Sequence, residues 1–173
     1  MFNKKVQDEM NKQIQRELES AYIYLSMAAY FEDTNLPGFA NWMRMQFKEE
    51  QIHAFKFFDY VNDRNGRVML EAINQPQVEF ESPVNAFEIT LGHEEKITGH
   101  INDLYALATR ENDYASQTLL QWFITEQIEE EKNAGDILTT LRMMGGDYSA
   151  LLILDRELAQ RIAPPEVDAT VVE

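Results

Sequence analysis

The stretch KEEQIHAFKFF, residues 48–58, carries the side chains of this sequence that are best suited to chemistry. Glu50 and His53 lie three positions apart among bulky apolar residues, so both would lie on one buried face of a helix. Charged side chains are rarely buried unless a partner compensates them. Because a carboxylate and an imidazole on one helix face can bind a single metal ion, this pair predicts a metal site inside a helical protein.

Two pairs of polar residues share one spacing along the chain. Glu17 precedes Glu50 by 33 positions, and Glu94 precedes Gln127 by the same 33. A shift of 77 residues relates the first pair to the second. The two halves of the chain therefore present polar groups at matching depths, as in a bundle with pseudo-twofold symmetry.

Several carboxylates in one interior require cations, because ionised carboxylates repel each other where water is scarce. A solvated glutamate or a satisfied core histidine would explain each residue singly, but the paired depths favour a dinuclear site. Oxygen ligands with one imidazole suit iron, manganese or zinc. Glu50 is the natural candidate for a glutamate that bridges both ions. The candidate ligands are Glu17, Glu50, His53, Glu94, Gln127 and Glu130.

Four long helices and one short helix must position these residues. Apolar residues at three-and-four spacing, together with cap residues, predict helices at about 4–33, 37–65, 83–111, 114–145 and 147–162. Ser82, Asp113 and Asp147 are the expected N-caps of the last three helices, and Gly66 is the expected left-handed residue after the second.

The connection at about residues 66–82 has no helical period and is long enough to travel the length of a bundle. This connection would make the second and third helices parallel. The prediction is therefore an all-α four-helix bundle with one long crossover and a short fifth helix. It forms a single domain over residues 1–173, with a tail at 163–173.

Composition limits the possible partners. The net charge is −15, from 30 acidic and 15 basic side chains, which argues against nucleic acid or an anionic membrane as a partner. The chain has no cysteine, so disulfides, thiolate zinc sites and iron–sulfur clusters are excluded. No signal peptide and no membrane-spanning apolar run is apparent, and a cytoplasmic location is expected.

The whole chain resembles a bacterial non-haem ferritin. In ferritin-like proteins two helices each supply one Glu and two others supply Glu-x-x-His. Glu17 and Glu94 match the single glutamates, and EQIH at residues 50–53 matches one Glu-x-x-His motif. QIEE, at 127–130, departs from the motif because it has no second histidine. This asymmetry is similar to that of ferritins rather than bacterioferritins, and Gln51 replaces the methionine that bacterioferritins use for haem, so no haem is expected.

The resemblance implies an iron-storage ferroxidase. It implies that two Fe(II) ions bind at the dinuclear ligands, that O2 or H2O2 oxidises them, and that ferric oxyhydroxide mineralises inside a cage of 24 subunits. The fifth helix would lie at the fourfold axes. Gln127 would be a weak group near the second iron, and Tyr24 would hydrogen-bond a ligand and act as a candidate electron donor. The alternatives are another ferritin-like di-iron oxidase or peroxidase, a starvation-type mini-ferritin, or a bundle that only binds partners.

A second acidic cluster neighbours the dinuclear ligands. Each residue of this cluster directly precedes a candidate ligand and so lies one residue around the helix from it: Glu49 precedes Glu50, Glu126 precedes Gln127, and Glu129 precedes Glu130. A solvated acidic face explains them equally simply, whereas the resemblance implies a third iron site that shares Glu130. The cluster is expected to lack a basic partner.

Three other residues on the third and fourth helices are not expected among the ligands. Trp122 is expected to pack beside the ligands, with a redox role as the alternative. His93 and His100 lie off the inward stripe and are expected at the surface.

Overall fold

The protein consists of five α-helices in the computed structural model, which describes residues 2–162. The helices are α1 Lys4–Asp33, α2 Pro37–Asp63, α3 Pro83–Arg110, α4 Tyr114–Met144 and α5 Tyr148–Leu158. No strand occurs within residues 2–162. None of the helices in this range is long and apolar enough to cross a membrane.

Side-chain caps define where most helices begin. Asn3 accepts hydrogen bonds from two backbone N–H groups at the start of α1. Ser82 and Asp113 each accept one backbone N–H at the start of α3 and α4, and Asp147 accepts two at the start of α5, which confirms all three predicted caps. Pro37 opens α2, where its missing N–H costs nothing.

Asparagines close the turns after three of the helices. Asn35, Asn65 and Asn112 adopt left-handed backbone angles, with φ of 58°, 56° and 54°. The expectation that Gly66 would take this conformation is wrong: Asn65 takes it, because asparagine tolerates the left-handed region. Gly66 is needed for space instead, since a Cβ there would lie 2.8 Å from the carbonyl oxygen of Val61.

The long connection between α2 and α3 lies along α1. Near its start Asn11 donates to the carbonyl of Arg67, and near its end Ser26 donates to the carbonyl of Gln77. The connection therefore returns the chain to the other end of the bundle, and α3 runs parallel to α2. The predicted four-helix bundle with one long crossover is confirmed.

The short fifth helix packs against the N-terminus of α2. Asp155 Oδ1 accepts hydrogen bonds from the backbone N–H groups of Gly38 (2.7 Å) and Phe39 (3.0 Å), and so caps a helix distant in sequence. A Cβ at residue 38 would lie 1.6 Å from the Asp155 carbonyl oxygen, so only glycine fits. The helix ends at Leu158, earlier than the predicted 162, and the predicted tail at 163–173 lies outside the described residues.

The apolar core is divided into two clusters by a layer of polar side chains. One cluster includes Phe31, Phe39 and Phe87, and the other includes Met10 and Phe57. Between them lie buried polar residues of all four long helices, namely Gln13, Glu17, Gln46, Glu50, His53, Thr90, Glu94, Gln127 and Glu130. Because both sides of this layer are sealed by packed side chains, its charged groups are held away from water.

Candidate metal centre

Glu17, Glu50 and His53 converge in the polar layer. Each offers a ligand atom, and these atoms lie within 4.8 Å of one another. All three side chains are buried, with residue exposures of 1–3%. Helix α1 supplies Glu17, while Glu50 and His53 lie one turn apart on α2. The structure thus brings together a carboxylate–carboxylate–imidazole group that can bind a divalent cation.

One oxygen of Glu17 has no partner within the described residues. Its Oε1 accepts a hydrogen bond from Gln13 Nε2 at 2.8 Å, whereas its Oε2 is buried and unpaired. A buried acceptor without a donor is costly unless something else satisfies it. A metal ion among Glu17, Glu50 and His53 would satisfy this oxygen.

Burial makes the carboxyls of this layer hold their protons. Loss of water raises the pKa of Glu17 to about 7, although the hydrogen bond from Gln13 opposes the rise. Burial, followed by the nearby charges of Glu94 and Glu17, raises the pKa of Glu50 well above its ordinary value. Without a cation the cluster therefore favours neutral carboxyls, and a bound cation would favour the ionised forms.

Glu94 is held by two hydrogen-bond donors on the opposite side of the layer. Tyr24 donates its phenolic O–H to Glu94 Oε1, and Gln127 Nε2 donates to Glu94 Oε2 at 3.1 Å. The expected partnership of Tyr24 with a candidate ligand is thus seen in the geometry. Gln127 acts as an amide donor to the same carboxylate. Glu94 lies outside the group formed by Glu17, Glu50 and His53.

Glu130 faces α2 across the bundle. Gln46 Nε2 donates to Glu130 Oε2 at 2.8 Å, and burial with the charge of Glu94 raises the pKa of Glu130 to about 8. Gln46 was not among the candidate residues predicted from the sequence. Gln46 lies four residues before Glu50, which places both on the same helix face. This spacing could have identified Gln46 from the sequence.

His53 links the buried group to the outer acidic cluster. Its Nδ1 lies 3.6 Å from Glu50 Oε2, and its Nε2 lies 3.9 Å from Glu126 Oε1. The ring contacts Trp122 edge-on, and Lys56 lies over the Trp122 indole. Burial, together with the charge of Lys56, lowers the pKa of His53 to about 4, so the imidazole is neutral near pH 7 and can act as a ligand.

The outer acidic cluster is only partly assembled. Glu126 and Glu130 form a second convergent group with His53, again within 4.8 Å. Neither Glu49 nor Glu129 belongs to this group, and Glu129 is exposed.

The expectation that the outer cluster lacks a basic partner is wrong. Arg161 Nη2 lies 2.5 Å from Glu49 Oε2, and the charge of Lys56 lowers the pKa of Glu126 against the larger effect of burial. Arg161 follows α5, which packs on α2 and brings this guanidinium to Glu49 from far along the chain.

His93 is half-buried, so its assignment to the surface holds only in part. His93 Nε2 lies 2.7 Å from Ser20 Oγ, and its ring meets Tyr24 edge-on with ring centroids 6.3 Å apart. Burial lowers the pKa of His93 to about 4. Contacts from Ser20 and Tyr24 of α1 cover part of this side chain, which helical periodicity cannot reveal. His100 is partly exposed, and Trp122 is 37% exposed beside His53.

Comparisons with known proteins agree with this geometry. A family model described as Ferritin-like domain matches residues 7–144. A bacterial non-heme ferritin of Staphylococcus saprophyticus is 38% identical over 161 residues, which are 93% of this chain and 96% of that protein. Another, of Staphylococcus aureus, is 34% identical over 161 residues, 93% of this chain and 97% of that protein.

Two solved structures share both the fold and much of the sequence. The open pore ferritin from the hyperthermophilic archaeon Archaeoglobus fulgidus is 47% identical, covering 94% of this chain and all of that chain (100%), with a TM-score of 0.93. Its closed form, engineered by site-directed mutagenesis, is 46% identical over 95% of this chain and 100% of that chain, with a TM-score of 0.94.

Proposed function

The chain belongs to the ferritin family, and from this premise we propose that it stores iron by oxidising Fe(II) at the buried carboxylate–imidazole cluster. The observation that carries the proposal is the convergence of Glu17, Glu50 and His53, with Glu17 Oε2 left unpaired. Hard oxygen ligands and one neutral imidazole suit Fe(II).

The two iron ions share one bridging carboxylate, and each has further ligands of its own. Glu17 and His53 bind the first Fe(II), Glu50 bridges both ions, and Glu94 and Glu130 bind the second. Gln127 is an amide near the second ion and binds weakly. Because this side lacks a second imidazole, the second ion is held loosely, which suits a site that must release its product.

The reaction moves one electron from each Fe(II). Two Fe(II) ions together reduce O2 and two protons to H2O2, or reduce H2O2 and two protons to two water molecules. The protein supplies geometry and charge: ionised carboxylates stabilise Fe(III) more than Fe(II), since the attraction grows with ion charge. Tyr24 holds Glu94 in place through its hydrogen bond and is the candidate electron donor. The Fe(III) product then moves inward and hydrolyses to a ferric oxyhydroxide mineral.

A third iron position lies on the outer side of His53. Glu126 and Glu130 supply its nearest oxygens, and Glu49 and Glu129 extend the cluster. Glu130 is thus shared between the second and third positions. The shared ligand offers product ions a route away from the dinuclear pair.

The storage function requires a hollow assembly, which we place at 24 subunits. Support comes from apolar side chains left exposed on α5, namely Tyr148, Leu152 and Ile153, and on the crossover, namely Met69 and Leu70. Exposed apolar patches of this kind are typical of interfaces. Copies of the same chain would cover them in a cage.

An anaerobic Fe(II) titration followed by oxygen exposure tests the proposal. Protein of native mass measured by light scattering should bind Fe(II) without oxygen and consume oxygen on exposure. Glu50→Ala and His53→Ala should each slow the fast oxidation by more than about 100-fold, because each removes a ligand of the pair. Glu95→Ala is the matched control, since Glu95 is exposed on α3 next to Glu94.

Three outcomes would contradict the proposal. Wild-type rates in both ligand variants would refute the site. A monomer or dimer under native conditions would refute the cage, and a small oligomer that retains two tightly bound iron ions would indicate a different di-iron oxidase. Fewer Fe(II) ions bound per subunit in Glu126→Ala than in wild type would support the third position, because Glu126 converges with Glu130 and His53. An unchanged number would indicate a solvated acidic face.

A further inference from the structure

The segment after α5 places a guanidinium group against the outer acidic cluster. Arg161 Nη2 lies 2.5 Å from Glu49 Oε2, with side-chain exposures of 20% and 16%. The guanidinium carbon lies 4.6 Å from the centre of the Trp42 ring, so the indole face supports the charge. Trp42 and Glu49 are seven residues apart on α2, which places both on one helix face, two turns apart.

Backbone contacts hold this segment in place. Asn41 Nδ2 donates to the carbonyl oxygens of Leu158 (3.2 Å), Ala159 (3.3 Å) and Arg161 (3.0 Å). The last carbonyls of a helix have no partner within the helix, and Asn41 supplies one here. The position of Arg161 therefore depends on α2 itself and not only on the ion pair with Glu49.

The guanidinium neutralises charge that a metal ion would otherwise meet. It pairs with Glu49, which is one of the carboxylates proposed for the third iron position. A guanidinium has five N–H donors and no acceptor, so it can occupy a carboxylate but cannot bind a metal ion.

We propose that Arg161 is a built-in cation that competes with the third metal ion for Glu49. This inference rests on the proposed function, because it concerns the third iron position of the same centre. When a divalent cation binds Glu126 and Glu130, Glu49 must leave Arg161 to join them. The guanidinium thereby keeps the third position weak, so that an ion passing through it is released.

The size of the effect follows from the exposure of the pair. Partly exposed ion pairs alter equilibria by a factor of up to about five. Removing the charge of Arg161 should therefore tighten the weakest class of bound cation by about fivefold. Ligands that do not contact Arg161 should be affected far less, because its charge is screened over distance.

Calorimetric titration of the assembled, metal-free protein with Zn(II) at pH 7 tests this competition, since Zn(II) cannot be oxidised. In Arg161→Gln the weakest Zn(II) class should tighten by about fivefold. Arg156→Gln is the matched control: it removes the same charge from the exposed face of α5 and should match wild type. In a Glu49→Gln background, Arg161→Gln should leave the affinity of the weakest Zn(II) class unchanged, because Arg161 acts by pairing with the Glu49 carboxylate.

Arg161→Lys separates charge from packing. It retains the positive charge but loses the planar contact with Trp42, so its weakest Zn(II) class should stay within about twofold of wild type. If Arg161→Lys behaves like Arg161→Gln, the role is packing and the proposal fails. This comparison also decides the question if Arg161→Gln does not assemble.

The remaining outcomes are also decisive. An unchanged or weaker third class in Arg161→Gln, or no third class in any variant, would overturn the competition. Failure of the proposed function would show differently, as absence of the tight Zn(II) classes and of Fe(II)-dependent oxygen uptake in wild type.

Discussion

Binding of a divalent cation should release protons from the buried carboxyls of the polar layer. The perturbation is addition of Zn(II) to the metal-free protein, since Zn(II) occupies the ligands without redox chemistry. Glu17 and Glu130 have pKa values of about 7 and about 8, so both carry protons near neutral pH. A metal ligand must be ionised, and these protons therefore leave when the ion binds.

The amount released follows from the two pKa values. At pH 7, Glu17 holds about half a proton and Glu130 about nine-tenths, which gives a release of about 1.4 protons per subunit. At pH 8 the same two groups release about 0.6. Glu50 adds to both values because its pKa is also raised. His53 adds none, since its pKa of about 4 leaves it already neutral.

Calorimetry in buffers of different ionisation enthalpy measures this release directly. The heat of binding at one pH, plotted against the buffer ionisation enthalpy, has a slope whose magnitude equals the number of protons released to the buffer. Glu17→Gln should lower that slope by about half a proton at pH 7, because it removes one titrating group. Glu95→Gln changes an exposed residue and should leave the slope unaltered.

Proton release must decrease as pH rises, because Glu17 and Glu130 hold fewer protons at higher pH. A release below about 0.3 protons at pH 7, or one that does not change between pH 6 and pH 8, would mean that these carboxyls are already ionised or are not ligands. Either result would contradict the inference that burial keeps these carboxyls protonated until a cation binds.

Two further predictions concern the stability of the protein. Asp155→Ala should weaken docking of α5 by about 2 kcal/mol, because two buried N–H groups of α2 lose a charged acceptor. Hydrogen exchange of the α5 amides should therefore become faster, whereas the control Ser149→Ala should leave it unchanged. Unchanged protection of α5 in Asp155→Ala would refute the cap. Metal-free protein should lose stability as pH rises from about 4.5 through about 8, since the raised pKa values of Glu17 and Glu130 favour the folded state only while they hold protons. The depressed pKa of His53 acts in the opposite direction, because it removes stability as pH falls from 6.5 to about 4. Above pH 6.5 only the effect of the two glutamates remains, so the thermal unfolding midpoint should be higher at pH 6.5 than at pH 8.5. A midpoint that rises from pH 6.5 to pH 8.5 would contradict the raised pKa values.

Features that depend on neighbours along the chain could be predicted from the sequence. Helix limits follow from apolar periodicity and from caps such as Ser82 and Asp113, which act within one turn. The pairing of Glu50 with His53 follows from their three-residue spacing, since a helix places such residues on one face. The burial of Glu94 was predicted through its position near the inward stripe of α3 and through the matching 33-residue spacings.

Resemblance to a known family extended the prediction beyond what local pattern could supply. The interpretation as an iron-storage ferroxidase and the pairing of Tyr24 with a ligand both came from it. The hydrogen bond from Tyr24 to Glu94 spans 70 residues, and no sequence period relates the two. Only a known arrangement of helices could anticipate that contact.

Contacts between side chains distant in sequence were decided by the tertiary structure. Arg161 meets Glu49 across 112 positions, and Gln46 meets Glu130 across 84. His93 is half-buried because the packing of α1 beside α3 brings Ser20 to its ring. Such contacts depend on the rotation and separation of whole helices, which follow from the packing of the two apolar clusters. A helix period gives the face on which a residue lies, and the packed bundle alone determines which side chain it meets there.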